Sequence, residues 1–248
     1  SSSNQVAPCF GSRADSHRGM TALARQFRLP LLRRFARPAV FDSRAASYED
    51  PTKLARTVAV ADTIRKRPWF RPMGDCLDVG AGTGLLTFEL APSFEQVTAF
   101  DVSAGMLEVL QAKADRSGIG VTTTLGPLEQ LPRFDMVFSL LAFHHIPDAD
   151  GMASQLLEHL KPGGRLLVAD LLATPNVRRF HKPHEIVGEH YEHDGFAKSA
   201  VQSWFSDCDD FDWVEMPLWR DLAEGWRGAG FAEAEEFHLF VASATLKA

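Results

Sequence analysis

The sequence predicts an α/β domain built on a doubly wound, mostly parallel sheet with helices on both faces. From about residue 40 onward, short apolar runs alternate with segments of helical spacing, and strands separated by helices in this way join into parallel sheets through right-handed crossovers. A glycine-rich turn from Gly80 to Gly84 closes the first of these runs, at the position where such sheets hold ligands. The chain has 248 residues, 45% hydrophobic and 23% charged, which suits one large globular domain with an appendage.

Each element has its own signal. The run at 75–80 is apolar and ends in glycine, as a buried strand does. Residues 83–90 then have helical spacing, 96–101 form a second strand and 104–115 a second helix. Residues 121–125 are β-branched, a third strand, and 134–141 are a fourth. The helix expected over 150–160 ends at Lys161-Pro162-Gly163-Gly164, a stop followed by a turn, before a fifth strand at 165–172. The last quarter, aromatic and acidic, allows two readings. One has a helix at 197–206, a sixth strand at 211–216 and an extra helix at 218–227; the other makes 218–227 the helix before Gly230-Phe231 and the stretch ahead of it an insertion. Residues 236–247 are the terminal strand in both, and the aromatics are read chiefly as core.

Charge divides the chain. Between Ser1 and Phe41 seven arginines face one acid, Asp15, a balance of +6 against a net charge of −6 for the whole. The stretch from Met20 to Pro38 is Arg-rich, acid-free and studded with Leu and Phe, the composition of a mitochondrial transit segment. The expected organisation is a basic arm over 1–39, then a domain over 40–248 with 173–216 as a substrate-side insertion. The location is cytoplasmic, or the mitochondrial matrix if the arm is an address. An acidic domain of this kind has no pull toward nucleic acid. No apolar run reaches the roughly 18 residues that a membrane helix needs, and three scattered cysteines make no disulfide framework.

The chemistry starts at the glycine turn. Glycine has no Cβ, so the backbone can bend sharply and approach a ligand closely. The spacing is GxGxG rather than the GxGxxG of dinucleotide folds, and Asp78 sits on the strand just before it. A carboxylate there suits a ligand with a positive ammonium group and repels a pyrophosphate, which favours S-adenosylmethionine over a dinucleotide.

Five segments then occur in one order: FDSRAASYED at 41–50, LDVGAGTG at 77–84, FDVS at 100–103, FDMVFSLLAFHHIPD at 134–148 and LKPGGRLLVAD at 160–170. In these the chain resembles the class I S-adenosylmethionine-dependent methyltransferases, in their small-molecule and quinone-biosynthesis branch. The resemblance runs from about Phe41 to Val168. It implies a seven-stranded Rossmann-like sheet, S-adenosyl-L-methionine as cofactor with S-adenosyl-L-homocysteine as product, and a small-molecule acceptor at an oxygen, nitrogen or carbon nucleophile. It also implies roles for single residues. Tyr48 packs over the cofactor, while Asp78 and Gly80, with Ala81, Gly82 and Gly84, hold its amino-acid end. Asp101 receives the ribose hydroxyls, with Ser103 left to cap the following helix, and Val102 and Met106 flank the adenine. Ser139 lies on the fourth-strand motif. Where the family places an acid on the adenine amino group this chain has Pro127, which leaves Leu128 and Glu129 to serve the ring.

Methyl transfer needs a base only where the acceptor must lose a proton. His144 and His145, just past the fourth strand, are the candidates, because imidazole titrates near neutrality. A second group, His181, His184, His190 and His193 with interleaved acids, has spacing that invites a metal. Pro183 interrupts it and no cysteine is near, so no metal is expected; His190, Tyr191 and His193 are read instead as acceptor-side residues. An alternative class keeps the cofactor but not the catalysis: an assembly or regulatory factor with a protein partner.

Overall fold

The computed structural model describes residues 38–71, 73–181, 192–221, 227 and 229–247. The Met20–Pro38 address segment falls almost wholly outside them, as do His184, His190, Tyr191 and Trp226. Seven strands form one sheet: β1 (Met73–Val79), β2 (Phe94–Phe100), β3 (Thr122–Thr124), β4 (Phe134–Leu140), β5 (Leu160–Leu171), β6 (Cys208–Asp221) and β7 (Ala234–Leu246). Their spatial order is β3-β2-β1-β4-β5-β7-β6. The first five strands pair in parallel, and β7 runs antiparallel between β5 and β6. The chain steps outward from β1 to β3 and then returns to β4 on the other side of β1. The carboxyl ends of β1 and β4 therefore flank a point where the strand order reverses, and an open α/β sheet leaves a crevice there.

The sheet is covered on both faces because its strands are apolar on both. Leu77 and Val79 of β1 and Leu166 and Val168 of β5 enter one core with Met152, Leu156 and Trp204. The alternate residues Cys76, Leu167 and Ala169 enter a second core with Val60, Ile64, Leu86 and Leu90. Helices α1 (Pro38–Arg44), α2 (Pro51–Arg65), α3 (Leu85–Leu90), α4 (Ala104–Ser117), α5 (Ala149–Glu158) and α6 (Lys198–Trp204) make the crossovers and flanks. Local chemistry fixes their starts. Asp50 accepts from Lys53 N with Pro51 in the first turn, Ser103 accepts from Met106 N, and Asp148 accepts from Gly151 N.

Two departures from the sequence reading have physical causes. Strand β5 begins at Leu160, before the expected turn, because Leu160 pairs with Phe134 and the Lys161–Gly164 stretch is absorbed by a register shift. Leu218–Asp221 are not helical. They extend β6, and Leu218, Trp219 and Arg220 pair with Phe237, Glu236 and Glu235. Pro217 is tolerated inside this strand because β6 is the edge of the sheet, where a missing N–H leaves no ladder bond unmade. Residues 198–216 form α6 and the first half of β6, close to the helix at 197–206 and strand at 211–216 of one of the two readings, and Val201 and Trp204 pack into the core.

Candidate active site

The glycine turn is stitched to the neighbouring strand. Gly80 N and Ala81 N donate to Phe100 O at 2.9 and 3.0 Å, and Gly82 N donates to Asp101 Oδ2 at 2.8 Å. All three of its glycines have positive φ. Gly80 has φ +72°, and a Cβ there would lie 2.5 Å from the Cβ of Ala142; Gly82 has φ +55° and faces open space. That space is a cavity between the ends of β1, β2 and β4.

Two carboxylates line it, both nearly closed off from solvent: Asp78 is 2% exposed and Asp101 8%. Asp78 Oδ2 accepts from the Thr87 hydroxyl at 2.6 Å. Burial pushes its pKa up to about 7, a shift that the Thr87 bond opposes and the nearby Asp101 charge reinforces. Asp101 is also raised by burial, although Ser103 N and Gly82 N donate to it. Each of its oxygens keeps a second lone pair for a ligand hydroxyl.

The segment before α2 roofs the cavity. Asp42 Oδ1 accepts from Ser103 Oγ at 2.6 Å and from Gly105 N at 2.9 Å, and these bonds hold its carboxyl below the usual range. Glu49 pairs with Lys113, which also donates to Thr83 O at 3.0 Å. These staples set Phe41 and Tyr48 over the opening.

Across Phe41, Tyr48, Arg56, Leu141 and His145, which line both, lies a second and more polar cavity. His144 forms part of its wall. Its Nδ1 is 2.6 Å from Asp170 Oδ1, and both side chains are essentially buried. The carboxylate also accepts from Leu171 N at 2.7 Å, so the ring is oriented with Nδ1 toward Asp170 and Nε2 on its other side. His145 packs against Phe41 edge-on and lies 4.0 Å from the His144 ring. His181 completes the imidazole group, and burial, with His144, Arg220 and Arg56 close by, pulls its pKa down to about 2, so it is neutral. Leu141, at the end of β4, has φ +53°, a strained conformation for a side chain of this size, on the wall between the two cavities.

The remaining expected residues are placed elsewhere. Ser139 is fully buried and donates to Val79 O at 2.8 Å, a tie between β4 and β1. Gly84 caps α3 in a left-handed conformation. Leu128 lies in the core and Glu129 on the surface of a short 3-10 turn. His193 donates from Nε2 to Ile146 O at 2.8 Å. None of these five lines the first cavity.

Residues 76–164 match the family model of the methyltransferase domain. This stretch is similar to a methyltransferase domain. It carries the glycine turn, both carboxylates and the His144-His145 pair. Among curated proteins the chain is similar to an uncharacterized methyltransferase of Schizosaccharomyces pombe, 28% identical over 193 residues, 69% of this chain and 67% of the relative. It is also similar to the ubiquinone biosynthesis O-methyltransferase of Xanthomonas euvesicatoria, 34% identical over 104 residues, 40% of this chain and 44% of that one. Apart from the yeast protein, these matches span about half the relatives' length or less. Among solved structures the YcgJ protein of Bacillus subtilis superposes with a TM-score of 0.61 at 17% identity, covering 78% of this chain and 99% of that one. Magnesium protoporphyrin IX methyltransferase of Synechocystis, solved with bound SAM, superposes with a TM-score of 0.53 at 18% identity, covering 79% and 80%. Outside this stretch, sequence reasoning missed Arg56, Thr57 and Arg220 at the cavities, and Asp170 behind His144.

Proposed function

We propose that the chain is an S-adenosylmethionine-dependent methyltransferase acting on a small-molecule acceptor. The observation that carries this is the first cavity, where two buried carboxylates, Asp78 and Asp101, meet a glycine turn open to a ligand. Buried carboxylates held at a cost in free energy favour a cationic ligand, and S-adenosylmethionine carries both a sulfonium and an ammonium. Asp78 and the Gly80–Gly82 backbone are suited to the amino-acid end, Asp101 to the ribose hydroxyls, and Val102 and Met106 to the adenine faces. The bound cofactor supplies an electrophilic methyl group.

The chain's own residues then do three things. Phe41 and Tyr48 cover the cavity and limit water. The wall at Leu141 and His145 holds the acceptor beside the cofactor, since alignment is the main protein contribution to an in-line displacement. The Asp170-held His144, or His145 next to it, takes a proton from an acceptor that must lose one. The name of the ubiquinone biosynthesis relative supports an acceptor of metabolite size.

Calorimetry on the full chain with S-adenosylhomocysteine tests the reading. Binding in the micromolar range is expected, and Asp101→Ala should weaken it at least tenfold while circular dichroism is unchanged. No heat from folded wild-type protein overturns the proposal. For the Arg-rich stretch 20–38 we propose a mitochondrial address, tested by fusing it to a fluorescent protein and imaging where that protein goes.

A further inference from the structure

The second cavity differs in kind from the first. Arg44, Lys53, Arg56 and Arg220 contribute four cations to its lining among the described residues, against one carboxylate, Asp50. That carboxylate is already engaged, accepting from Lys53 N as the cap of α2 and lying 3.5 Å from Lys53 Nζ. Arg56 is the telling member. It is 9% exposed, sits among Thr57, Val60, Ala61 and Ile64 on the buried face of α2, and its Nε has no hydrogen-bond partner among the described residues. No carboxylate forms an ion pair with it there, although the charges of Asp50 and Asp170 act on it from further off, and it lies over the Phe180 ring at 5.5 Å. A buried guanidinium with no direct ion-pair partner is costly in a folded protein, and such a group at a cavity wall is explained by a ligand that completes it. Arg220, donating to Phe180 O and stacked over the Phe180 ring at 4.5 Å, is held on the same side.

We propose that this second cavity binds an oxyanion, a carboxylate or phosphate carried by the methyl acceptor, with Arg56 and Arg220 as its anchors. The inference rests on the methyltransferase reading. Arg56 and His145 line both cavities, so an anion held at Arg56 puts the rest of the acceptor against the wall where the methyl group is delivered. Two carboxylates, Asp78 and Asp101, mark the first cavity and four cations the second, with Arg56 on the wall between them.

Ligand-observed NMR on the full chain saturated with S-adenosylhomocysteine tests this, using benzoate and phenyl phosphate against benzamide and benzyl alcohol. At least one of the two anions should bind ten times more tightly than the neutral probes, and which one prevails separates carboxylate from phosphate. Arg220→Ala should remove the preference while the S-adenosylhomocysteine affinity stays within twofold, and Arg56→Gln should remove it as well. Equal binding of anions and neutral probes, or a preference that survives both variants, overturns the proposal. So does a pattern in which Arg56→Gln weakens the nucleoside and Arg220→Ala changes nothing, because the guanidinium then serves the nucleoside's own carboxylate. Absence of S-adenosylhomocysteine binding is a different failure and strikes the methyltransferase reading itself.

Discussion

Asp78 shows how a single buried carboxylate ties stability to ligand charge. Its pKa is pushed from 3.8 to about 7 by burial, so between those pH values the folded chain holds a proton that the unfolded chain has released. The contribution of this group to ligand-free stability therefore falls as pH rises through that window. A cation placed beside it reverses the shift. S-adenosylmethionine binding at pH 6 should release up to about one proton, read as a dependence of the calorimetric heat on buffer ionisation enthalpy. Asp78→Asn should abolish that dependence. The Asp170–His144 pair makes a second prediction at this scale. Asp170→Asn removes the negative charge beside His144 Nδ1 that supports the ring when it takes a proton, and kcat for a proton-losing acceptor should fall by about 10²–10⁴. Cofactor affinity measured by calorimetry should stay the same. Residue roles were only partly legible in the sequence. Asp78 stood just before a recognisable glycine turn, and Asp101 in the FDVS segment. Ser139 had the right position but the opposite orientation, because a strand's side chains alternate faces and this hydroxyl is spent on Val79 O.

At the scale of elements, the turn after β1 and the helix α2 behave differently under substitution. Gly80→Ala would bring a methyl group to 2.5 Å from the Ala142 Cβ in a left-handed backbone, and should cost about 1–3 kcal/mol in a denaturant titration. Gly82→Ala meets no atom within 4 Å and should cost about 1–2 kcal/mol for the left-handed backbone alone. Its methyl group points where the cofactor belongs, so S-adenosylhomocysteine binding should suffer more than stability. The α2 helix held a signal that the sequence reading passed over. Its buried residues are Arg56, Thr57, Val60, Ala61 and Ile64, a 3.6-residue stripe with one charge on it. A charged residue inside an apolar stripe is a mark of function that needs no structure to see. The 218–221 segment could not be assigned in this way. Its Leu and Trp suit a helix or a strand, and its pairing with 234–237 is a long-range contact with no local trace.

For the whole molecule, the alternation of runs was enough to give the parallel sheet, and the glycine turn was enough to locate the crevice. The order β3-β2-β1-β4-β5-β7-β6 came from the family resemblance only as a strand number, since strand neighbours are settled by packing and not by spacing. The placing of two carboxylates at one cavity and four cations at the other was not legible either. Their linings come from residues as far apart as Arg44 and Arg220, and only the fold brings them together. The edge strand β6 carries one last consequence. Pro217 breaks its row of backbone donors at the outer rim of the sheet. Two copies brought side by side cannot zip together past that point. Pro217→Val should restore the missing donor, and concentrated protein should then scatter more light on storage, with the monomer's melting temperature little changed.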